Sequence, residues 1–226
     1  MNFTTRIRKK QRLEEKSMYL VEYVYRILIV KRYLNLLAKL NIHPIAVTLV
    51  NTLLFPCILY FIYLKYYILA AFLTQLYAIV DHTDGMLARY TGKQTYIGSR
   101  LDRFNDNVFF NAVFIVIALS ADLPLYFALI VIISMNLHNF FGLFYFPKKL
   151  KQFAKFKRFG LKKWFLDRNF ILGIDASLLL SLISIFLILH EFQLLFYTIS
   201  FCYIFDLVYR IIEIKLNEKE RKKWKR

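Results

Sequence analysis

The chain has 226 residues, of which 58% are hydrophobic, and its mean hydropathy is +0.44. It contains only 6 Gly and 4 Pro, fewer turn-forming residues than a soluble domain of this length usually has. The formal net charge is +17, but Lys and Arg are clustered between long apolar runs. That distribution is typical of membrane topology and not of a nucleic-acid-binding face. We therefore expect an all-α, polytopic membrane protein with no nucleic-acid partner.

The N-terminal residues 1–43 mix charged and apolar side chains. Charged residues interrupt the stretch from Tyr19 to Leu40 too often for a helix that spans a membrane. This pattern predicts one or two amphipathic helices that lie on the membrane surface. The first long apolar run opens only after this segment, at Pro44.

Six apolar runs follow, each long enough to cross a hydrocarbon layer of roughly 30 Å. The predicted transmembrane helices are residues 44–64, 66–90, 100–119, 125–146, 170–189 and 194–214. The chain is thus divided into an amphipathic segment (1–43), a six-helix transmembrane domain (44–214) and a basic cytoplasmic tail (215–226).

The basic residues predict the orientation in the membrane. All but one of the 32 Lys and Arg residues lie in the two terminal segments, in the second and fourth connections, or near the helix ends that adjoin these regions, and the exception is Lys65. The positive-inside rule assigns those regions to the cytoplasm. Both termini are therefore expected to be cytoplasmic, in a protein of the plasma (inner) membrane.

Four carboxylates lie in the stretch DHTDGMLARYTGKQTYIGSRLDRFND, which joins the end of the second apolar run to the start of the third. Asp81 and Asp84 are three residues apart, and Asp102 and Asp106 are four apart, so each pair shares a face of its helix. Hard divalent cations take oxygen ligands, and two carboxylate pairs on facing helix ends suit such ions. Gly85 and Ala88 follow the first pair on the same helix face and have little or no side chain. A bulky group can therefore pack against that face.

The spacing D-x-x-D-G-x-x-A-R, eight residues, G-x-x-x-D-x-x-x-D resembles the signature of the CDP-alcohol phosphotransferases, also called CDP-alcohol phosphatidyltransferases. All eight positions match: Asp81, Asp84, Gly85, Ala88, Arg89, Gly98, Asp102 and Asp106. Eight fixed positions in one short stretch are a specific signal. Elsewhere the resemblance rests on hydropathy and helix number.

The resemblance implies a membrane enzyme of phospholipid biosynthesis. Such an enzyme transfers a phosphatidyl or other substituted phosphoryl group from a CDP-alcohol to an acceptor hydroxyl and releases CMP. The implied ligands of Mg²⁺ or Mn²⁺, with two ions expected, are Asp81, Asp84, Asp102 and Asp106, and Asp106 is also the implied base. The implied nucleotide contacts are Asp84, Gly85, Ala88, Arg89 and Gly98. A homodimer is compatible with the resemblance.

The acceptor is less well defined by the sequence. Arg168 and Arg210 lie at the cytoplasmic ends of the last two apolar runs. Members that use phosphorylated acceptors have basic residues near there, and a guanidinium offers two donors to a phosphate. We therefore favour CDP-diacylglycerol as the donor and a small polar alcohol, which can itself be phosphorylated, as the acceptor.

Three other functions stay open. A soluble CDP-alcohol could donate its head group to a lipid or glycan. A six-helix ion-coupled transporter would explain the four acids, but it gives no reason for the spacing of Gly85, Ala88 and Arg89 and predicts broken helices or a repeat. A non-catalytic membrane scaffold would tolerate the loss of acids, and here all four are present.

Overall fold

The computed structural model describes residues 17–153 and 156–223, with side chains described as far as residue 219. The first sixteen residues of the predicted amphipathic segment and the last three of the predicted tail thus lie outside the described residues. The described chain is almost entirely helical, as predicted. Apart from connecting loops, its non-helical part consists of two-residue parallel strands, β1 (Met18–Tyr19) and β2 (Phe170–Ile171).

Eight helices occur in the part of the chain that the structure describes. Helix α1 is continuous through three segments: Leu20–Tyr23, the π-helical Val24–Val30, and Lys31–Lys39. The others are α2 (Pro44–Tyr63), α3 (Tyr67–Thr91), α4 (Tyr96–Ser120), α5 (Tyr126–Leu150, with a π-helical stretch at Phe141–Tyr145), α6 (Gly160–Leu166), α7 (Ala176–Leu189) and α8 (Phe192–Lys223).

Local chemistry sets the helix ends around the motif. Pro44 occupies the first turn of α2, where a missing backbone N–H costs nothing. Helix α3 ends at Thr91 and is followed by Gly92, whose φ of 73° lies in the left-handed region that favours glycine. Helix α4 begins after Thr95, whose hydroxyl accepts a 3.1 Å hydrogen bond from the amide of Gly98. The short link between these two ends holds the two halves of the motif side by side.

Helix α3 occupies the centre of the bundle and packs against α1, α2 and α7. The largest fully buried side chains of the main core come from several helices and include Tyr77 on α3, Phe109 and Phe114 on α4, and Phe196 on α8. In a membrane-spanning bundle such side chains stabilise the fold by close packing, because lipid tails are as apolar as the protein core. The core therefore fixes α3 and α4, which carry the motif, between the other helices.

Three of the helices are long and apolar enough to cross a membrane, namely α2, α5 and the part of α8 from Phe192 to Lys219. Helix α7 is apolar but shorter. Helices α3 and α4 have 25 residues each, but both carry charged motif residues. The apolar helices suggest an integral membrane protein; the count of six crossings and the surface position of α1 stay predictions.

The predicted fifth transmembrane helix was wrong at its start. Helix α7 begins at Ala176 and not at Phe170, because the carboxylate of Asp175 caps it by accepting a 3.1 Å bond from the amide of Leu178. The preceding residues run extended and pair with β1. Gly173 allows this path, since a Cβ there would lie 3.1 Å from Oδ1 of Asp206.

Two further helix limits differ from the prediction. Helix α4 begins at Tyr96, earlier than the predicted Arg100, because Thr95 supplies a cap. Helix α8 continues to Lys223, past the predicted end at residue 214. The predicted basic tail is thus helical as far as it is described, while the three-part division of the chain stays a prediction.

Candidate active site

Three of the four motif aspartates come together where α3 and α4 face each other. One carboxylate oxygen from each of Asp81, Asp102 and Asp106 lies within 4.8 Å of the other two, and all three residues are partly buried. We call these three residues the acid trio. The spacing of the sequence predicted that Asp102 and Asp106 share a face of α4, and both join the trio, whereas α3 contributes only Asp81 of its pair.

Asp84, the fourth acid, lies outside the trio and is 6% exposed. Its Oδ2 accepts a 2.7 Å hydrogen bond from the hydroxyl of Thr48 on α2. A buried carboxylate needs such donors, because leaving it unpaired in a low-dielectric environment is costly. The side chain is therefore held toward α2 while still lining the cavity described below.

Other hydroxyl and amide groups surround the acids. The phenol of Tyr77, which is fully buried, donates a 3.0 Å hydrogen bond to Oδ1 of Asp106. Asn105, next to Asp106 on α4, donates from Nδ2 to the hydroxyl of Thr52 at 2.9 Å. Tyr77 thus orients Asp106 without adding charge, whereas Asn105 links α4 to α2 beside the acids.

A cavity of about 450 Å³ opens beside the acids, between the start of α2, the end of α3 and the start of α4. This volume is within the range of roughly 300–1,000 Å³ usual for small-molecule sites. Six of the eight motif residues line it, and these are Asp84, Gly85, Ala88, Arg89, Gly98 and Asp102. The motif therefore forms one wall of a ligand-sized cavity as well as an acid cluster.

A residue without a side chain is suited to positions 85 and 98 for different structural reasons. A Cβ on Gly85 would meet only the guanidinium nitrogens of Arg89, at 3.4 Å, so Arg89 folds over the bare helix face. A Cβ on Gly98 would come within 2.9 Å of the Thr95 hydroxyl that caps α4. Gly85 thus keeps space open in the cavity, whereas Gly98 permits the cap.

Arg89 is exposed in this cavity. The ion pairs found among residues 17–153 and 156–219 do not include it. A guanidinium with no carboxylate partner beside a negative centre is suited to an anionic ligand, since it offers two parallel donors to phosphate oxygens.

The acid trio fits a divalent cation. All three donors are carboxylate oxygens, the ligand type that Mg²⁺ and Mn²⁺ prefer, and their mutual separation lets one ion contact all three. Without a counter-charge three carboxylates this close would repel one another strongly.

The two candidate acceptor arginines lie apart from this cavity, and neither lines it. Arg168 is exposed, donates to the carbonyl of Trp164 at 3.1 Å and stacks 3.8 Å above its ring centroid. Arg210 on α8 pairs through Nε with Oδ2 of Asp206 at 2.7 Å. The structure thus places Arg168 at the surface and Arg210 in a charge cluster.

That cluster is centred on Asp206, which is 3% exposed. Besides Arg210, its carboxylate receives Nζ of Lys162 at 2.6 Å and Nε2 of His138 at 2.7 Å. Burial lowers the pKa of Lys162, and the neighbouring Asp206 opposes that shift. The cluster ties α5, α6 and α8 together and carries two basic side chains for one carboxylate.

Several residues of these sites were not singled out from the sequence for these roles. Thr48 and Tyr77 lie within apolar runs, where a residue of either type is usually part of the core. No pattern in the sequence marks them as partners of the motif acids. Lys162 is one of many basic residues between α5 and α7. Only the path of the chain shows that this lysine, and not its neighbours, is buried against Asp206.

Residues 41–205 match the model of the CDP-alcohol phosphatidyltransferase family. The chain belongs to this family. The match covers the cavity, the acid trio and most of the helical bundle, so the resemblance seen in the motif extends over the greater part of the chain. No curated protein sequence matches the chain.

Members of the family are transferases of substituted phosphate groups that take phosphoalcohol groups from CDP-alcohols. They act on CDP-linked donors and alcohol acceptors in a membrane and generally depend on divalent metal ions. The chain is therefore a membrane enzyme of this class.

Proposed function

We propose that this chain transfers a phosphatidyl group from CDP-diacylglycerol, or a similar CDP-linked lipid, to a small polar alcohol and releases CMP. The observation that carries the proposal is the cavity of about 450 Å³ whose wall is built from motif residues. The reaction class follows from the family, while the identity of the donor and acceptor is our inference.

The nucleotide is assigned to the cavity wall. Gly85 and Ala88 leave the face of α3 open for the CDP moiety, and Arg89 is placed to meet a phosphate that enters there. Gly98 contributes through the backbone at the start of α4, close to Thr95. In the free protein Arg89 lies over Gly85, so we expect its guanidinium to move aside when a nucleotide binds.

Asp81, Asp84, Asp102 and Asp106 are the proposed ligands of two Mg²⁺ or Mn²⁺ ions. Such ions, when bound, neutralise charge on the pyrophosphate and on the leaving CMP. The carboxylate oxygens of the acid trio supply the negative charge that attracts them. The hydroxyls of Thr48 and Tyr77 hold Asp84 and Asp106 in position.

Asp106 is the proposed base. Its Oδ1 accepts a hydrogen bond from Tyr77, and we assign the proton of the acceptor hydroxyl to its other oxygen. The acceptor oxygen then forms a bond to the β-phosphorus of the donor, and the bond from that phosphorus to the bridging oxygen breaks. The proton passes to Asp106 and CMP leaves with the bridging oxygen.

The acceptor is assigned to the side of Arg210. Lys162 and Arg210 bring two basic side chains to one carboxylate, that of Asp206. The resulting excess of positive charge suits an acceptor that carries a phosphate. Arg168 remains a second candidate from the same basic region. The alternative is a soluble CDP-alcohol that donates its head group to a lipid or glycan.

The proposed setting is the plasma (inner) membrane with six crossings, both termini and the active site on the cytoplasmic side, and a homodimer as the assembly. The support for this orientation is the distribution of basic residues, since Lys65 alone lies outside the regions assigned to the cytoplasm. Cytoplasmic placement would give the cavity direct access to CDP-linked substrates.

Panels of donors and acceptors test this function. Purified protein in lipid nanodiscs would be incubated with Mg²⁺ or Mn²⁺, a CDP-alcohol and an acceptor, and CMP release would be measured. We expect release from CDP-diacylglycerol, increased by a polar or phosphorylated alcohol. Release from a soluble CDP-alcohol but never from CDP-diacylglycerol would show that the donor is the soluble CDP-alcohol and not the CDP-linked lipid.

A further inference from the structure

The connection between α5 and α7 runs along α8 and is bonded to it at four successive levels. The bonds pair Lys157 with Asn217, Arg158 with Glu213, Phe159 with Tyr209, and Lys162 with Asp206. At a rise of 1.5 Å per residue, Asn217 and Asp206 are about 17 Å apart along α8. Helix α6, which contains Lys162, is therefore fixed well short of the C-terminal end of α8.

The depth of α6 follows from the lengths of α7 and α8. Only His190 and Glu191 separate these two helices, so their ends at this turn are level. Asp206 lies about 21 Å from the start of α8, and α7 is about 20 Å long. A hydrocarbon layer is roughly 30 Å thick. When α7 and α8 cross the membrane, α6 and the start of α7 therefore lie inside the cytoplasmic boundary of that layer.

The outer face of α6 carries side chains that suit this depth. Leu161 and Trp164 are 60% and 51% exposed, and they are one helical turn apart. Arg168, one turn further on, lies 3.8 Å from the centroid of the Trp164 ring. Tryptophan is enriched where hydrocarbon meets the lipid headgroups, and a long basic side chain can extend its charge towards those headgroups. We call Leu161, Trp164 and Arg168 the α6 patch.

The charge of this region favours an anionic partner. Residues 147–168 contain nine Lys or Arg and a single acid, Asp167. The ion pairs found among residues 17–153 and 156–219 do not include Arg168, whose Nη1 donates to the carbonyl of Trp164. A guanidinium offers paired donors to phosphate oxygens, and anionic lipids attract basic segments beside a membrane.

We propose that the α6 patch binds an anionic phospholipid of the cytoplasmic leaflet. Its acyl chains pack against Leu161 and Trp164, and Arg168 binds its phosphate. Asp206 pairs with Lys162 on the buried side of α6, so that side brings no unpaired charge into the membrane. A lipid phosphate at Arg168 leaves the acceptor to Arg210. The patch does not line the cavity, so this inference is independent of the substrate proposed above.

Fluorescence of Trp164 tests its contact with lipid. Replacing Trp224 by Phe leaves Trp164 as the only tryptophan, and the full chain would be reconstituted into vesicles of lipids with brominated acyl chains. Bromine quenches tryptophan only at short range. We expect the brominated lipid to quench Trp164 strongly and aqueous iodide to quench it little. Iodide quenching of Trp164 without quenching by brominated lipid would show that α6 faces water, and would overturn the proposal.

The matched control places a tryptophan outside the hydrocarbon layer. In a chain carrying Trp164→Phe and Trp224→Phe, Lys219→Trp introduces one on an exposed position of α8. This position is about 40 Å from the start of that helix, beyond a layer of roughly 30 Å. We expect iodide to quench it and brominated lipid to leave it bright, which is the reverse of Trp164.

The role of Arg168 is tested by the choice between lipids. In mixed vesicles, either the anionic or the zwitterionic lipid alone would be brominated, and the ratio of Trp164 quenching gives the relative binding constant. We expect a preference of about fivefold for the anionic lipid, the factor typical of one basic side chain near a membrane. Arg168→Gln should remove this preference. Lys39→Gln, which removes a charge from an exposed position of α1, should leave it unchanged.

Two outcomes of the lipid competition would also overturn the proposal. One is equal quenching by both brominated lipids in the chain that keeps Arg168. The other is the same preference for the anionic lipid in the Arg168→Gln and Lys39→Gln chains. Thermal unfolding of each variant would verify that its fold persists. Neither measurement reads CMP release, so failure here is distinguishable from failure of the proposed reaction.

Discussion

The hydroxyl of Thr48 donates a 2.7 Å hydrogen bond to Oδ2 of Asp84, and both residues are buried. This bond links α2 to the motif on α3 and holds the one motif acid that does not join the acid trio. It also places Asp84 on the wall of the cavity, next to Gly85. The position of Asp84 therefore depends on a residue that lies far from it in the sequence.

Replacing Thr48 by Val should weaken CDP binding. Valine keeps the shape of the side chain but removes the donor, and a buried acceptor without its partner costs roughly 1–3 kcal/mol. We expect a rise of about five- to a hundredfold in the Kd for CDP, measured by calorimetry with Mn²⁺ present. Thr74→Val is the control, because Thr74 is equally buried and bonds only to the carbonyl of Ala70. An unchanged Kd in the Thr48 variant would refute the role.

Removing either Asp81 or Asp102 should strongly weaken metal binding at the acid trio. Asp81→Asn and Asp102→Asn each replace a charged oxygen ligand by a neutral one, and we expect Mn²⁺ affinity, measured by electron paramagnetic resonance, to fall by about 100-fold or more. Chelation should likewise stop CMP release. Asp122→Asn is the control, because Asp122 is exposed and pairs with Lys65. Full activity in the presence of a chelator would contradict metal dependence.

Filling the bare face of α3 should exclude the nucleotide. Gly85→Leu or Ala88→Leu places a bulky side chain in the cavity, and CDP affinity should fall at least tenfold while the thermal unfolding temperature changes little. Gly85→Ala is a graded control, because its Cβ would meet Arg89 only at an ordinary contact distance of 3.4 Å. Unaltered CDP affinity in folded Leu variants would place the nucleotide elsewhere.

Cysteine labelling should show on which side of the membrane each loop lies. Gln94 lies between α3 and α4, and Gln193 lies in the first turn of α8; both are exposed. In a chain carrying Cys57→Ser and Cys202→Ser, Gln94→Cys should react only with membrane-permeant reagents and Gln193→Cys also with impermeant ones. Labelling of intact cells would measure both. Reaction of Gln94→Cys with an impermeant reagent from outside would overturn the topology.

Loss of Arg210 should weaken acceptor binding. Arg210→Ala leaves Asp206 bonded to Lys162 and His138, so the fold should persist. We expect the acceptor KM to rise about tenfold, with little change in CDP affinity, as is usual when a remote binding contact is removed. Arg168→Ala should have a smaller effect, because its guanidinium is already stacked on Trp164. An unchanged acceptor KM in both variants would place the acceptor elsewhere.

The sequence by itself determined the helical fold and three of the four members expected in the acid cluster. Asp81 shares a helix face with Asp84, and Asp102 shares one with Asp106, because the helical repeat places residues three or four apart on the same side. The short link through Gly92 and Thr95 then turns the two faces toward each other. Because these are local relationships, the motif and the approximate positions of the long helices could be predicted without a structure.

Only the tertiary structure decided which distant residues complete the sites. Thr48 meets Asp84, and Lys162 meets Asp206, through contacts between helices that are far apart in the chain. The start of α7 likewise depends on Asp175 as a cap and on the close passage of Gly173 past Asp206. Apolar runs predict which residues are removed from contact with water, but they do not predict which helix faces pack against each other. That choice is made by side-chain packing across the whole bundle, which no local pattern encodes.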